Sequence, residues 1–66
     1  MVLNIELQRK FTSVWPLLDE RTRRLLAANE AVSLGHGGIS AVHLACGLSR
    51  RSIANGIREI EEGAVA

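Results

Sequence analysis

Two arginines and an asparagine near the C-terminal end of this 66-residue chain share one helical face. Arg51, Asn55 and Arg58 follow one another at i, i+4 and i+7, the spacing of neighbours on an α-helix surface. A guanidinium presents its N–H donors as a fixed fork, and a side-chain amide carries donor and acceptor together. Such groups bond guanine and adenine edges in bidentate pairs. The stripe therefore indicates contact with DNA bases, and a solvated helix face is the alternative.

The two residues that precede the stripe suit contacts with phosphate. Ser49 is placed to cap the helix N-terminus, where the dipole and the free N–H groups favour an anion. Arg50 and Arg51 lie in the first helical turn, where positive charge opposes the helix dipole. Their position at the unfavourable end suggests that an anionic partner selects them.

A second arginine cluster, Arg21, Arg23 and Arg24, is a weaker candidate for contacts with the DNA backbone. The alternative is a solvated face that pairs with acids nearby in the sequence. These acids are Asp19, Glu20 and Glu30. His36 is also a weak candidate for a phosphate contact, the alternative being an exposed loop residue.

The elements that carry these side chains are all predicted to be helices, because no sustained alternating run indicates a strand. We expect one all-α domain of about four helices over residues 1–66. An N-terminal helix within 1–16 should stop near Val14, since Pro16 disfavours helical geometry at the residue before it. Its apolar stripe comprises Leu3, Leu7, Phe11 and Val14. A three-helix core over 19–62 should follow.

The first core helix is predicted to begin at an Asp19 cap and to end at Gly35. Leu17 and Leu18, in the connection before it, are expected to tuck into the core. Its expected apolar face comprises Leu25, Leu26, Ala28 and Val32.

Residues 39–61 are predicted to form a helix-turn-helix, two short helices joined by a glycine-containing turn. The first helix should span 39–46, with Ser40 a candidate cap. Gly47 supplies a positive φ, and Leu48 should point inward. The second helix should run from about 50 to 61. Its apolar face comprises Ile53, Ile57 and Ile60.

Two residues of the motif concern its packing. Gly56 is small where close helix packing often requires a small residue, at a cost of about 1 kcal/mol relative to alanine. His43 fits poorly, because a small residue four positions before the turn glycine usually lets the two helices touch. Either the helices cross differently here, or the ring points outward.

The composition excludes several classes of protein. A single cysteine, Cys46, permits no intrachain disulfide and fits a reducing cytoplasm. Neither a metal-binding spacing nor a paired nucleophile and base is present, so we expect no catalytic residue, metal or cofactor. The apolar runs are too short to span a bilayer. A net charge of +1 makes any basic surface local rather than general.

Three blocks of the sequence resemble the N-terminal region of DDE-type bacterial insertion-sequence transposases. They are "LDERTRRLLAA", "LGHGGISAV" and "GLSRRSIANGIREIE", in the same order and at similar spacing within residues 17–61. In such enzymes this region looks like the module that binds the terminal repeats of the element. His43 and Leu44 depart from the family pattern of a small residue followed by a polar or basic one. None of the acids present corresponds to the catalytic triad of that family, so the chain resembles an excised or truncated module.

The expected function is sequence-specific binding of double-stranded DNA, in a cytoplasmic, nucleoid-associated location. One alternative is a small dimeric helix-turn-helix transcriptional regulator. Another is a helical self-association module that does not bind DNA, with the N-terminal helix as the interface. A homodimer through that helix is also an expected partner arrangement for the DNA-binding protein.

Overall fold

The chain folds into four α-helices, whose bounds follow from capping and turn residues. The computed structural model describes residues 2–63, with side chains from Glu6 onward. The helices are α1 (Val2–Val14), α2 (Glu20–Leu34), α3 (Gly38–Cys46) and α4 (Arg50–Gly63), and a 3-10 turn, Trp15–Leu17, follows α1. Residues 2–63 contain no strand, so the predicted all-α class is confirmed.

Three of the predicted helix boundaries are confirmed. α1 ends at Val14, directly before the turn that holds Pro16. At the start of α2, the Asp19 Oδ1 accepts a hydrogen bond from the Thr22 N–H at 2.7 Å. This bond lowers the pKa of the Asp19 carboxyl, so the ionised form is the one that caps the helix. α2 ends at Gly35, whose N–H donates to the Val32 carbonyl.

Three expectations about individual residues are wrong. α3 begins after Gly37 without a side-chain cap, and Ser40 lies inside the helix. Leu17 is 83% exposed rather than tucked into the core, whereas Leu18 is half-buried. Val32 is 56% exposed, because α2 buries its alanines instead. The buried residues of α2 are Ala27, Ala28 and Ala31.

The core lies where α1, α3 and α4 converge with α2. Its largest fully buried side chains are Phe11 of α1, Val42 of α3 and Ile53 of α4. Trp15 packs its ring edge-to-face on Phe11, with the centroids 5.0 Å apart. This is a favoured geometry for an aromatic pair. Ile57 and Leu48 pack against the same cluster, as their positions in the sequence predicted.

α2 approaches α3 and α4 so closely that two positions accept no side chain. A Cβ on Gly56 of α4 would lie 2.7 Å from the Arg24 carbonyl oxygen and 2.9 Å from the Ala28 Cβ. A Cβ on Gly38 of α3 would overlap the Ala31 carbonyl oxygen. The small residues of α2 therefore face glycines, and the helix backbones meet directly. The predicted requirement for a small residue at Gly56 is confirmed.

α1 uses its apolar stripe within the chain. Leu7 and Phe11 are both buried in the core, and α1 packs on α3. Val14 is half-buried, and the Leu3 side chain lies outside the described residues. The two described residues at the centre of the stripe therefore offer no surface to a second molecule. Self-association through α1 remains a prediction.

We predict that Gly56→Ala destabilises the domain, although alanine is the better helix former. The new methyl group displaces backbone atoms of α2, and over-packing of this kind costs about 1–3 kcal/mol. The free energy of unfolding, measured by urea denaturation followed by circular dichroism, should fall by that amount. Gly63→Ala is the matched control, because nothing lies within 4 Å of its new Cβ. Equal stability of the two variants would contradict the close approach at Gly56.

Candidate nucleic-acid interface

A three-residue turn joins α3 to α4 and sets the position of the candidate interface. Gly47 adopts φ +85°, a conformation that side chains other than glycine rarely accept, and its N–H donates to the His43 carbonyl at 3.0 Å. Leu48 is half-buried against the core. Ser49 caps α4, as predicted, by accepting the Ser52 N–H at 3.1 Å. α3, the turn and α4 form a helix-turn-helix.

The His43 ring fastens the turn from inside the motif. Its Nδ1 lies 2.6 Å from the Leu48 carbonyl oxygen, and the residue is half-buried. A carbonyl oxygen can only accept, so Nδ1 carries the proton and donates it. The larger residue at this position therefore has a structural role, because it supplies a hydrogen-bond donor to a carbonyl of the turn. The sequence predicted only a poor fit at His43 and did not indicate this bond.

The Arg51, Asn55 and Arg58 side chains are all exposed and lie along one face of α4. The opposite face is closed by buried Ile53 and Gly56 and by half-buried Ile57. Within residues 6–63, none of the three stripe residues makes a side-chain hydrogen bond or an ion pair. Their donors thus remain available to a ligand. The structure brings the three predicted residues together on one accessible surface.

Arg50 and Ser49 flank this stripe at the start of α4, and both are exposed. The Arg50 Nε lies 3.4 Å from the Ser40 Oγ of α3, at the long limit for a hydrogen bond. The Ser49 hydroxyl is engaged in the cap and also donates to the Ser52 Oγ at 3.1 Å. Arg50 therefore projects beside the helix N-terminus, where an anion would meet both the guanidinium and the helix dipole.

The second arginine cluster is largely occupied within the chain. Arg24 forms a two-point ion pair with Glu59 of α4, of which the Nη2–Oε1 bond measures 3.0 Å. This pairing lowers the pKa of the Glu59 carboxyl and raises the pKa of Arg24. Arg21 lies 3.9 Å from the same carboxylate and stays mostly exposed. The interpretation as a paired face is thus supported, with a partner that the sequence did not identify.

Arg23 contacts the aromatic residue at the end of α1. Its Nε donates to the Trp15 carbonyl at 2.9 Å, and its guanidinium lies over the Trp15 ring, 5.7 Å from the centroid. Both contacts tie α2 to the connection that precedes it. His36 is exposed in the loop between α2 and α3, without a hydrogen-bond partner among the described side chains. The weaker candidates therefore lie away from the stripe in their bonding.

Sequence reasoning missed Glu59, because it lies 35 residues from Arg24. A signal was nevertheless present: Glu59 is one helical turn after Gly56, on the side where α4 approaches α2. A search for acids near the close contact would have found it. Cys46 behaves as predicted for a small apolar residue, since it packs on the core and burial raises the pKa of its thiol.

Residues 2–63 hold no cluster of three or more histidines, cysteines, aspartates and glutamates able to bind a metal ion. Within the same residues, each helix is too short or too polar to cross a bilayer. Comparisons with protein-family models, with curated proteins and with solved structures find no match to this chain. The function must therefore be argued from the geometry of the helix-turn-helix.

We predict that His43→Ala weakens the domain through the turn. Loss of the bond to the Leu48 carbonyl should lower the free energy of unfolding by about 1 kcal/mol, the net contribution of one hydrogen bond. Urea denaturation of the variant checks this value. His36→Ala, which removes the chain's other histidine, serves as the control and should leave stability unchanged. If both substitutions have the same small effect, His43 does not hold the turn.

Proposed function

We propose that this domain binds double-stranded DNA through α4 of its helix-turn-helix. The observation that carries the proposal is the exposed stripe of Arg51, Asn55 and Arg58, whose donors have no partner within the described residues. In a helix-turn-helix, the second helix enters the major groove and its early residues contact base edges. The stripe lies on the early part of α4 and faces away from the core.

The length of the stripe suits the major groove. Arg51 and Arg58 are seven residues apart, which is about 10.5 Å along a helix with a rise of 1.5 Å per residue. The major groove of B-DNA is about 12 Å wide. All three side chains can therefore address one stretch of base edges at the same time. Arginine suits guanine and asparagine suits adenine, so the stripe can contribute sequence preference.

Arg50 and the N-terminus of α4 supply the contacts that position the helix. Phosphate contacts fix the register of a protein on DNA, whereas base contacts specify the sequence. Arg50 projects at the end of α4 where the helix dipole favours an anion. Arg21, the most exposed of the second cluster, is a further candidate for the DNA backbone. Arg23 and Arg24 are left out, because their guanidinium groups bond Trp15 and Glu59.

The resemblance to insertion-sequence transposases extends this proposal to a class of target. On that basis the DNA would be the terminal repeat of a mobile element, and catalysis would reside in a domain that this chain does not contain. A regulator would instead favour a palindrome bound by a dimer. Selection of bound duplexes from a random pool separates the two: an asymmetric consensus supports the element end, and an inverted repeat contradicts it.

Self-association without DNA binding has less support. Its leading feature was the apolar stripe of α1, and two members of that stripe, Leu7 and Phe11, are buried within the chain. The charges of α4 also have no role in such a module. From Arg50 to Arg58 the helix carries three arginines and no acid. The proposal of DNA binding uses this charge directly.

We predict that Arg51→Ala and Arg58→Ala each weaken DNA binding while the fold is kept. Loss of a bidentate base contact costs about 1–3 kcal/mol, or about 5- to 150-fold in affinity. Fluorescence anisotropy with a duplex from the selection measures the change, and circular dichroism checks the fold. Arg9→Ala on α1 is the control for charge, because Arg9 is exposed and lies on another helix. Equal losses from Arg9→Ala and Arg51→Ala would contradict a specific role for α4.

A further inference from the structure

The exposed stripe of α4 does not end at Arg58. Glu62 follows Arg58 by four residues and lies about 20° round the helix from Arg51, at 100° per residue. α4 is continuous to Gly63, and Glu62 is exposed. The surface proposed to face DNA thus consists of two arginines and an asparagine, followed on the same line by a carboxylate.

Nothing within the described part of the chain accounts for this carboxylate. Glu62 lies at the helix C-terminus, where the negative end of the dipole disfavours an acid. It forms no ion pair among residues 6–63, although Arg58 lies one turn away. An arginine placed before a glutamate is also the weaker order for such a pair. Its position on the stripe therefore requires another reason.

The distance along the helix supplies this reason. Glu62 lies eleven residues from Arg51, which corresponds to about 16.5 Å. This exceeds the width of the major groove, about 12 Å, which the stretch from Arg51 to Arg58 fits. With the start of α4 on the base edges, Glu62 lies beyond the groove floor. There it faces phosphates rather than bases, and the two negative charges repel.

We propose that Glu62 is a specificity-determining residue that acts as an electrostatic stop on α4. The inference rests on the proposed function and adds to it. On DNA of arbitrary sequence the domain is held mainly by phosphates and samples many orientations. Glu62 penalises those orientations in which the C-terminal half of α4 lies along the DNA backbone. Docking by the arginine-rich end is unaffected, so the residue lowers non-specific affinity more than specific affinity.

A carboxylate can also accept a hydrogen bond from cytosine N4, which would make Glu62 a base reader. The two roles predict opposite results. Removal of a base reader weakens binding, whereas removal of a repelling charge strengthens binding to DNA of any sequence. The reach along the helix favours repulsion, and the sign of the measured change decides.

The test compares Glu62→Gln with Glu61→Gln. Both variants remove one negative charge from the last turns of the same helix, so they change the net charge and the helix dipole interaction equally. Glu61 is also exposed, but it lies about 80° round the helix from Arg51. The measurement is fluorescence anisotropy with a random-sequence 20-base-pair duplex at low salt, repeated as the salt concentration rises. Circular dichroism confirms the helical content of each variant.

We expect Glu62→Gln to bind this duplex about three- to tenfold more tightly than the unaltered protein, since several phosphates repel the charge. Glu61→Gln should bind within about twofold of the unaltered protein. Equal affinities of the two variants overturn the inference, as does weaker binding by Glu62→Gln. If the unaltered protein and both variants all fail to bind any duplex, the proposed function itself fails. These outcomes are distinguishable in one set of titrations.

Discussion

The direct contact between the backbones of α2 and α4 at Gly56 is the constraint on which the rest of the domain depends. A chain of 66 residues buries only about 60% of its unfolded surface, so its helices must pack closely to exclude water. Alanines on α2 and glycines on α3 and α4 provide this closeness. One turn beyond Gly56, the Arg24–Glu59 ion pair holds the same two helices at their exposed edge. The contact fixes which face of α4 is buried and thereby which face is presented.

The interface follows from this rotation of α4. With Gly56 and Ile53 against the core, the side chains on the other side of the helix must point outward. The turn then determines where α4 begins. Gly47 reverses the chain, and the His43 ring donates a hydrogen bond to the turn carbonyl of Leu48. The proposed DNA contacts thus depend on residues that never touch DNA, and a change in packing would move the whole stripe.

Much of this arrangement could be predicted from the sequence, because its causes are local. Asp19, Gly35, Gly47 and Ser49 act through neighbouring backbone groups, and the isoleucine spacing of α4 marks its buried face. The expectations that were wrong concern contacts between distant segments. Hydrophobicity alone placed Val32 and Leu17 inside, whereas the close approach of the helices leaves room for alanines there. The pairing of Arg24 with Glu59 and the bond from His43 arise from tertiary geometry, which no local pattern contains.

The central claim is that the exposed face of α4 binds duplex DNA, and amide chemical shifts measure this residue by residue. A ¹⁵N-labelled sample is titrated with a random-sequence duplex at low salt and followed by heteronuclear NMR. The account predicts shift changes concentrated in residues 49–58, with the amides of residues 6–14 in α1 nearly unchanged. Changes centred on α1, or spectra that do not respond to DNA at all, would contradict it.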